Sequence, residues 1–261
     1  MTRAAIVTGA ARGIGAATVR ALAAEDWAVV AVDRCSDDPR LPYAMGTEEE
    51  LRAVAEQAGA DVVEPLVGDA GEPEAMERAV ARCEERFGGL DAIVAAAGVI
   101  AGGVPLWDMP REQEEAVFDG TLRPAMVAAR VGIPAMLRRP APREGRYVAI
   151  SSAAATRGLP FLAAYCAAKA GVNGLVRALA VELRGTGITA NAISPGSTRT
   201  RILDESARLY ALEAAESFAA QQPLERLITP EEVAAMVVWL TGSASGAITG
   251  TAIAVDGGLA L

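Results

Sequence analysis

Thr8-Gly9-Ala10-Ala11-Arg12-Gly13-Ile14-Gly15 stands between a short apolar run, Ala4–Thr8, and an amphipathic stretch that starts at Ile14. Glycines here permit a tight turn and let an anionic group approach the backbone. A helix that opens at the last of them offers free N–H groups and a favourable field for a pyrophosphate. Outward from this turn, short apolar runs alternate with longer helical patterns, the signature of parallel strands joined by crossover helices. Strands are expected near Ala4–Thr8, Ala28–Val32, Val62–Val67, Leu90–Ala95, Arg146–Ser151, Ile188–Ile193 and Ala252–Val255. Helices are expected near Ile14–Ala24, Glu48–Gln57, Pro73–Arg86, Arg111–Leu137, Tyr165–Arg184, Leu203–Ala220 and Pro230–Leu240. The strand runs are almost unbroken in apolar residues, as expected when both faces of a sheet are covered. No repeat or linker interrupts the 261 residues, so the expectation is a single doubly wound α/β domain.

Asp33 ends the second strand, where a carboxylate accepts hydrogen bonds from adenosine ribose hydroxyls and repels a 2′-phosphate. That placement selects NAD over NADP, and the nearby Arg12 and Arg34 are compatible with either. Asp69, followed by Ala70 at the end of the third strand, is an expected partner for the adenine ring. The connection from Arg34 to Thr47 is too long for its place, since strand-to-helix loops usually take ~2–6 residues. It carries Leu41, Tyr43 and Met45 and leaves the strand end beside the cofactor site, so it reads as an insertion at 34–47 with a role there.

The charge of −9 argues against nucleic acid or an anionic membrane surface as partner. Cys35, Cys83 and Cys166 show no metal spacing and suit a reduced, cytoplasmic setting. The longest weakly polar stretch, Ala92–Trp107, is broken by glycines and Pro105 and is too short for a bilayer, where ~20 residues are needed. The absence of histidine excludes Ser-His-Asp catalysis and imidazole ligation of a metal. Among 24 basic residues the only lysine is Lys169, four positions after Tyr165. On a helix that spacing puts both side chains on one face. A cation there is expected to lower the phenol's pKa, which makes Tyr-Lys the leading acid/base pair.

Thr8-Gly-x-x-x-Gly13-x-Gly15, Asp33, Asp69, Ser152, Tyr165-x-x-x-Lys169, Asn191-Ala-Ile-Ser-Pro195-Gly196 and Asp256-Gly257-Gly258 follow in order along the whole chain. The set resembles the short-chain dehydrogenase/reductase family, whose fold is a seven-stranded doubly wound sheet. The resemblance implies NAD-dependent hydride transfer to or from an alcohol carbon. It assigns Tyr165 as general base, Lys169 as the cation that stabilises the phenolate and bonds the nicotinamide ribose, and Ser152 as the donor to the substrate oxygen. It adds cofactor contacts from Gly9, Gly13, Ile14 and Gly15 in the turn, from Ala97 and Gly98 after the fourth strand, and from Pro195, Gly196, Thr198 and Thr200 after the sixth.

Two positions depart from the family pattern. Ala95-Ala96-Ala97-Gly98 replaces the usual Asn-Asn-Ala-Gly, and Thr121 stands where a fourth catalytic residue, an asparagine, is usual. The family's mobile substrate lid would cover 201–223, with Ile202, Leu203, Leu209, Tyr210, Leu212 and Phe218 on its amphipathic face. Trp107, Met109, Leu159 and Phe161 are further candidates for the pocket wall, and the aggregate points to an apolar alcohol or ketone. The insertion is similar to that of a subgroup associated with the redox peptide mycofactocin, which includes carveol-dehydrogenase-like enzymes. That likeness implies NAD covered by the extra segment, with electrons leaving through a second small carrier. A homo-oligomer, dimer or tetramer, is the family expectation. Two readings stay open beside it: a 3-oxoacyl thioester reductase, and an NAD-loaded binding or regulatory protein with little turnover.

Overall fold

A computed structural model describes residues 3–261. One parallel sheet in the order β3-β2-β1-β4-β5-β6-β7 organises the chain. Its strands are β1 (Ala4–Thr8), β2 (Ala28–Asp33), β3 (Val63–Val67), β4 (Ala92–Ala95), β5 (Arg146–Ile150), β6 (Thr189–Pro195) and β7 (Ala252–Val255). Between them run α1 (Gly13–Ala24), α2 (Glu48–Ala58), α3 (Pro73–Phe87), α4 (Arg111–Leu137), α5 (Ala163–Glu182), α6 (Arg201–Leu209) and α7 (Pro230–Thr241). Most element ends lie within two residues of the sequence expectation.

Every residue of β1 and β5 is buried, because helices cover both sheet faces. Val30, Ile93, Tyr147 and Ala190 meet α3, α4 and α5 on one face. Val29, Val94, Val148 and Ile193 meet α1, α2 and α7 on the other. Strand order reverses between β1 and β4, so a crevice opens there at the carboxyl ends of the strands. Helix starts follow local chemistry: Thr47 and Thr229 each form a reciprocal capping box with the glutamate three residues on. No helix of the described residues is long and apolar enough to cross a membrane.

One element differs from expectation. A single helix over Leu203–Ala220 is replaced by α6, a turn, and a 3₁₀ segment over Ala215–Gln221. Ala211 takes φ +52°, its N–H bonds the Arg208 carbonyl at 3.1 Å, and the Leu212 N–H reaches back to Ala207 at 2.9 Å. These two bonds close a helix end that normally uses glycine, here built on alanine. The apolar periodicity runs on through Leu212 and Phe218, which is why the break is invisible to it.

Candidate active site

The turn after β1 approaches the end of β4 so closely that a Cβ on Gly9 would sit 2.8 Å from the Ala97 Cα. Gly9 also holds φ +66°, which an L side chain resists. Thr8, fully buried, accepts the N–H groups of Ala96 and Ala97 at 3.1 Å each. The threonine hydroxyl thus ties the alanine loop to β1 where the family pattern has asparagines. No side chain caps α1, and the N–H groups of Gly13, Ile14 and Gly15 find no acceptor among the described residues. A helix start of this kind is an anion site, and it fits a dinucleotide pyrophosphate.

Asp33 completes that end. Its carboxylate accepts the Ala11 N–H and the Cys35 N–H, each at 3.0 Å, which fixes its oxygens at the rim of the cleft. Asp69 is folded into a turn by the Gly71 N–H at 2.8 Å and lies 3.6 Å from the Arg34 guanidinium. All the catalytic and cofactor-binding residues expected from the sequence line one cavity of about 660 Å³. The turn with Asp33, Arg34, Asp69 and Ala70 forms one end, and Ser152, Tyr165 and Lys169 form the other. Ala97, Gly98, Pro195, Gly196, Thr198 and Thr200 lie along it as well.

Ser152 caps the short 3₁₀ turn after β5 by accepting the Ala154 N–H at 3.1 Å, which leaves its own hydrogen available to donate. Its neighbour Ser151 is turned to a structural bond with the Lys169 carbonyl. Lys169 is buried, donates from Nζ to the Ile150 carbonyl at 2.8 Å, and lies 5.8 Å from the centroid of the Tyr165 ring. The expected lowering of the phenol is not what the folded chain imposes. Burial pushes Tyr165 up to about 12, and the Ser152 hydroxyl offsets only part of it. Burial lowers Lys169 to about 8. Desolvation, which penalises both charged forms, is the largest cause at each of the two groups.

Thr121 is buried in α4, where its hydroxyl donates to the Val99 carbonyl at 3.1 Å and accepts the Val99 N–H at 3.2 Å. It therefore clasps the loop after β4 to α4. Three residues on, Pro124 has no N–H to give, which leaves the Gly120 carbonyl without its helical donor beside the cleft.

The insertion crosses the cleft. Its backbone touches the turn at Gly46, where a Cβ would lie 2.7 Å from the Ala11 Cβ, and the Arg12 guanidinium donates to the Ala44 carbonyl at 2.8 Å. On the far bank, Arg40 forks onto Asp38 and reaches Asp119 of α4 at 2.9 Å, while the Tyr43 hydroxyl accepts the Ile100 N–H at 2.9 Å. Asp38 is buried, and Arg40 holds its carboxyl far below the usual range through these hydrogen bonds. Tyr43, Met45 and Gly46 line the cavity. From the other side Ile202, Leu203, Tyr210, Leu212 and Phe218 line it, together with Leu159. Trp107, Met109 and Phe161 do not: Trp107 is 85% exposed on a surface turn, Phe161 is half-exposed, and Met109 packs behind the wall. Arg157 and Leu259 also line it, the first donating to the carbonyl of the second. Neither stands in any local pattern; only the return of the C-terminus to the mouth of the cleft brings them together.

A family model described as enoyl-(acyl carrier protein) reductase matches residues 9–260. A short-chain reductase protein, NovJ of Streptomyces niveus, is 37% identical over 97% of this chain and 92% of its own length. An uncharacterized NAD-dependent oxidoreductase of Mycobacterium tuberculosis is 35% identical over 98% and 95%. The crystal structure of a carveol dehydrogenase from Mycobacterium avium in complex with NAD superposes with a TM-score of 0.91. It is 30% identical and covers 98% of this chain and 97% of that one.

Proposed function

The chain belongs to the short-chain dehydrogenase/reductase family of oxidoreductases, and from that premise we propose that it moves a hydride between NAD and an apolar secondary alcohol or its ketone. The observation that carries this reading is the meeting of Ser152, Tyr165 and Lys169 at one end of a cleft whose other end is the uncapped helix start and Asp33. NAD in a structural neighbour and in a relative's name supports the choice of cofactor. Bound NAD supplies the hydride acceptor and a positive nicotinamide ring.

The chain supplies the rest. Asp33 holds the adenosine ribose, and the N–H groups of Gly13, Ile14 and Gly15 hold the pyrophosphate. Ser152 donates its free hydrogen to the substrate oxygen and sets its place. Tyr165 takes the hydroxyl proton at its phenolic oxygen, and Lys169, aimed by the Ile150 carbonyl, stabilises the phenolate. Reduction runs the same transfers in reverse. The 34–47 segment acts as a strap that keeps NAD in place through turnover, and an external redox carrier such as mycofactocin removes the electrons. Its crossing from Arg12 to Asp119 over the cavity supports that part. Residues 201–223 serve as the substrate lid. Exposed apolar side chains on α4, α5 and α7 (Met126, Val181, Trp239) support a homo-oligomer, dimer or tetramer.

An acyl-thioester reductase is the second reading, favoured by the description of the matching family model. A panel of secondary alcohols and a 3-hydroxyacyl thioester tests both, run once with free NAD and once with an artificial electron acceptor. Alcohol oxidation that proceeds with the acceptor and without added NAD is the expected result. Steady turnover on freely exchanging NAD removes the strap's role, and turnover of the thioester alone overturns the choice of alcohol.

A further inference from the structure

The third apolar cluster of the fold is assembled from segments far apart in sequence. Leu41, Tyr43 and Met45 come from the strap, and Ile202, Leu209 and Tyr210 from the lid. Both sets pack on one buried group that includes Val99, Ile100, Leu162 and Tyr165. Leu41 is itself 7% exposed, so the strap's tip is a core residue of this cluster rather than a loose loop. The lid end is pinned separately: the Tyr210 hydroxyl donates to the Pro160 carbonyl at 2.7 Å, and Leu209 lies against the backbone at Gly103.

Tyr43 is the joint. Its hydroxyl accepts from Ile100 at 2.9 Å, its ring lines the cavity, and among the groups whose charge reaches it are Glu205 of α6, Arg12 of the turn and Tyr165. Glu205 is buried on the lid helix, and among the described residues only Arg208 bonds its carboxylate. A packed core has discrete arrangements and does not deform smoothly, so two segments sharing one cluster move together.

We propose that strap and lid open as one roof joined at Tyr43, so that the lid over the substrate pocket also governs release of the dinucleotide. Tyr43 is thus a positioning residue that acts through the packing of the roof. The inference rests on the reading above that the strap covers bound NAD, and it adds a partner for that strap. An empty pocket with a loose lid would let NAD go, and an occupied one would keep it.

The test follows NAD bound to the full-length protein, chased with excess isotopically labelled NAD and sampled by mass spectrometry. Arg40→Ala probes the strap alone, Tyr43→Phe the joint, and Leu209→Ala the lid at a side chain that does not line the cavity. Each is expected to speed release, Tyr43→Phe by about 5-fold for the loss of one neutral hydrogen bond. The double variant Tyr43→Phe/Leu209→Ala is expected to release NAD no faster than the faster single, the mark of coupled sites. Thermal melting checks the fold, and Leu209→Val repeats the lid arm if the alanine variant is unfolded. Wild-type release from both lid variants, or a double variant whose acceleration is the product of the singles, overturns the coupling while an accelerated Arg40→Ala leaves the strap reading intact. Unchanged release from Arg40→Ala and Tyr43→Phe overturns both.

Discussion

Burial holds Tyr165, at about 12, in the neutral form that alcohol oxidation does not want, while Lys169, lowered to about 8, is still an ammonium at neutral pH. At about 1.4 kcal/mol per pH unit, a phenol near 12 is about 7 kcal/mol from ionising at pH 7. Oxidation needs the phenolate, whose fraction grows tenfold per pH unit below the phenol's pKa, and it needs the ammonium, which is kept below about 8. The kcat/KM for oxidation is therefore expected to rise with a slope near one from pH 6 to about 8 and then bend as Lys169 loses its charge. Reduction needs the protonated phenol and stays flat over the same interval. A flat oxidation profile contradicts the assignment of Tyr165 as base. That Tyr165, Lys169 and Ser152 meet in one cavity was legible in their spacing, but their protonation was not. The i+4 spacing shows that a cation is near, whereas the depth of burial is a property of the packed fold.

Strands and most helices were legible because an apolar run or a capping residue marks them, as Thr47 and Glu50 mark the start of α2. The break after α6 carries no such mark. Ala211 takes a left-handed conformation that costs an L residue about 1–2 kcal/mol, held by the N–H bonds of Ala211 and Leu212 back to Arg208 and Ala207 and by the packing of Tyr210. Ala211→Gly relieves that strain and gives back part of it as entropy of the unfolded chain. The expected outcome is a gain of up to about 1 kcal/mol in urea denaturation, with the denaturant slope unchanged. A loss of stability would show that the alanine methyl makes contacts that outweigh its backbone strain. The strap was legible as excess length carrying Leu41, Tyr43 and Met45, but its path was not. Tyr43, Met45 and Gly46 reach the cavity because Arg40 and Asp119, 79 positions apart, pull the segment across it. A distant ion pair has no local pattern.

At the scale of the molecule, sheet order and the two helix layers fix where a site must lie, at the strand ends between β1 and β4. The catalytic and cofactor-binding residues expected from the sequence line that crevice, while three of the expected wall residues, Trp107, Met109 and Phe161, do not, and the segments around its mouth pack against remote partners. In the proposed reaction a hydride passes directly between the alcohol carbon and NAD while Tyr165 handles the proton. The most direct test is a single turnover with the best alcohol of the panel, deuterated at its carbinol carbon, on the parent protein and on Tyr165→Phe. The label is expected on the nicotinamide ring in the parent, and Tyr165→Phe is expected to keep its NAD while transfer slows at least about 10²-fold. Deuterium appearing in solvent, or transfer by Tyr165→Phe at the parent rate, would contradict the account.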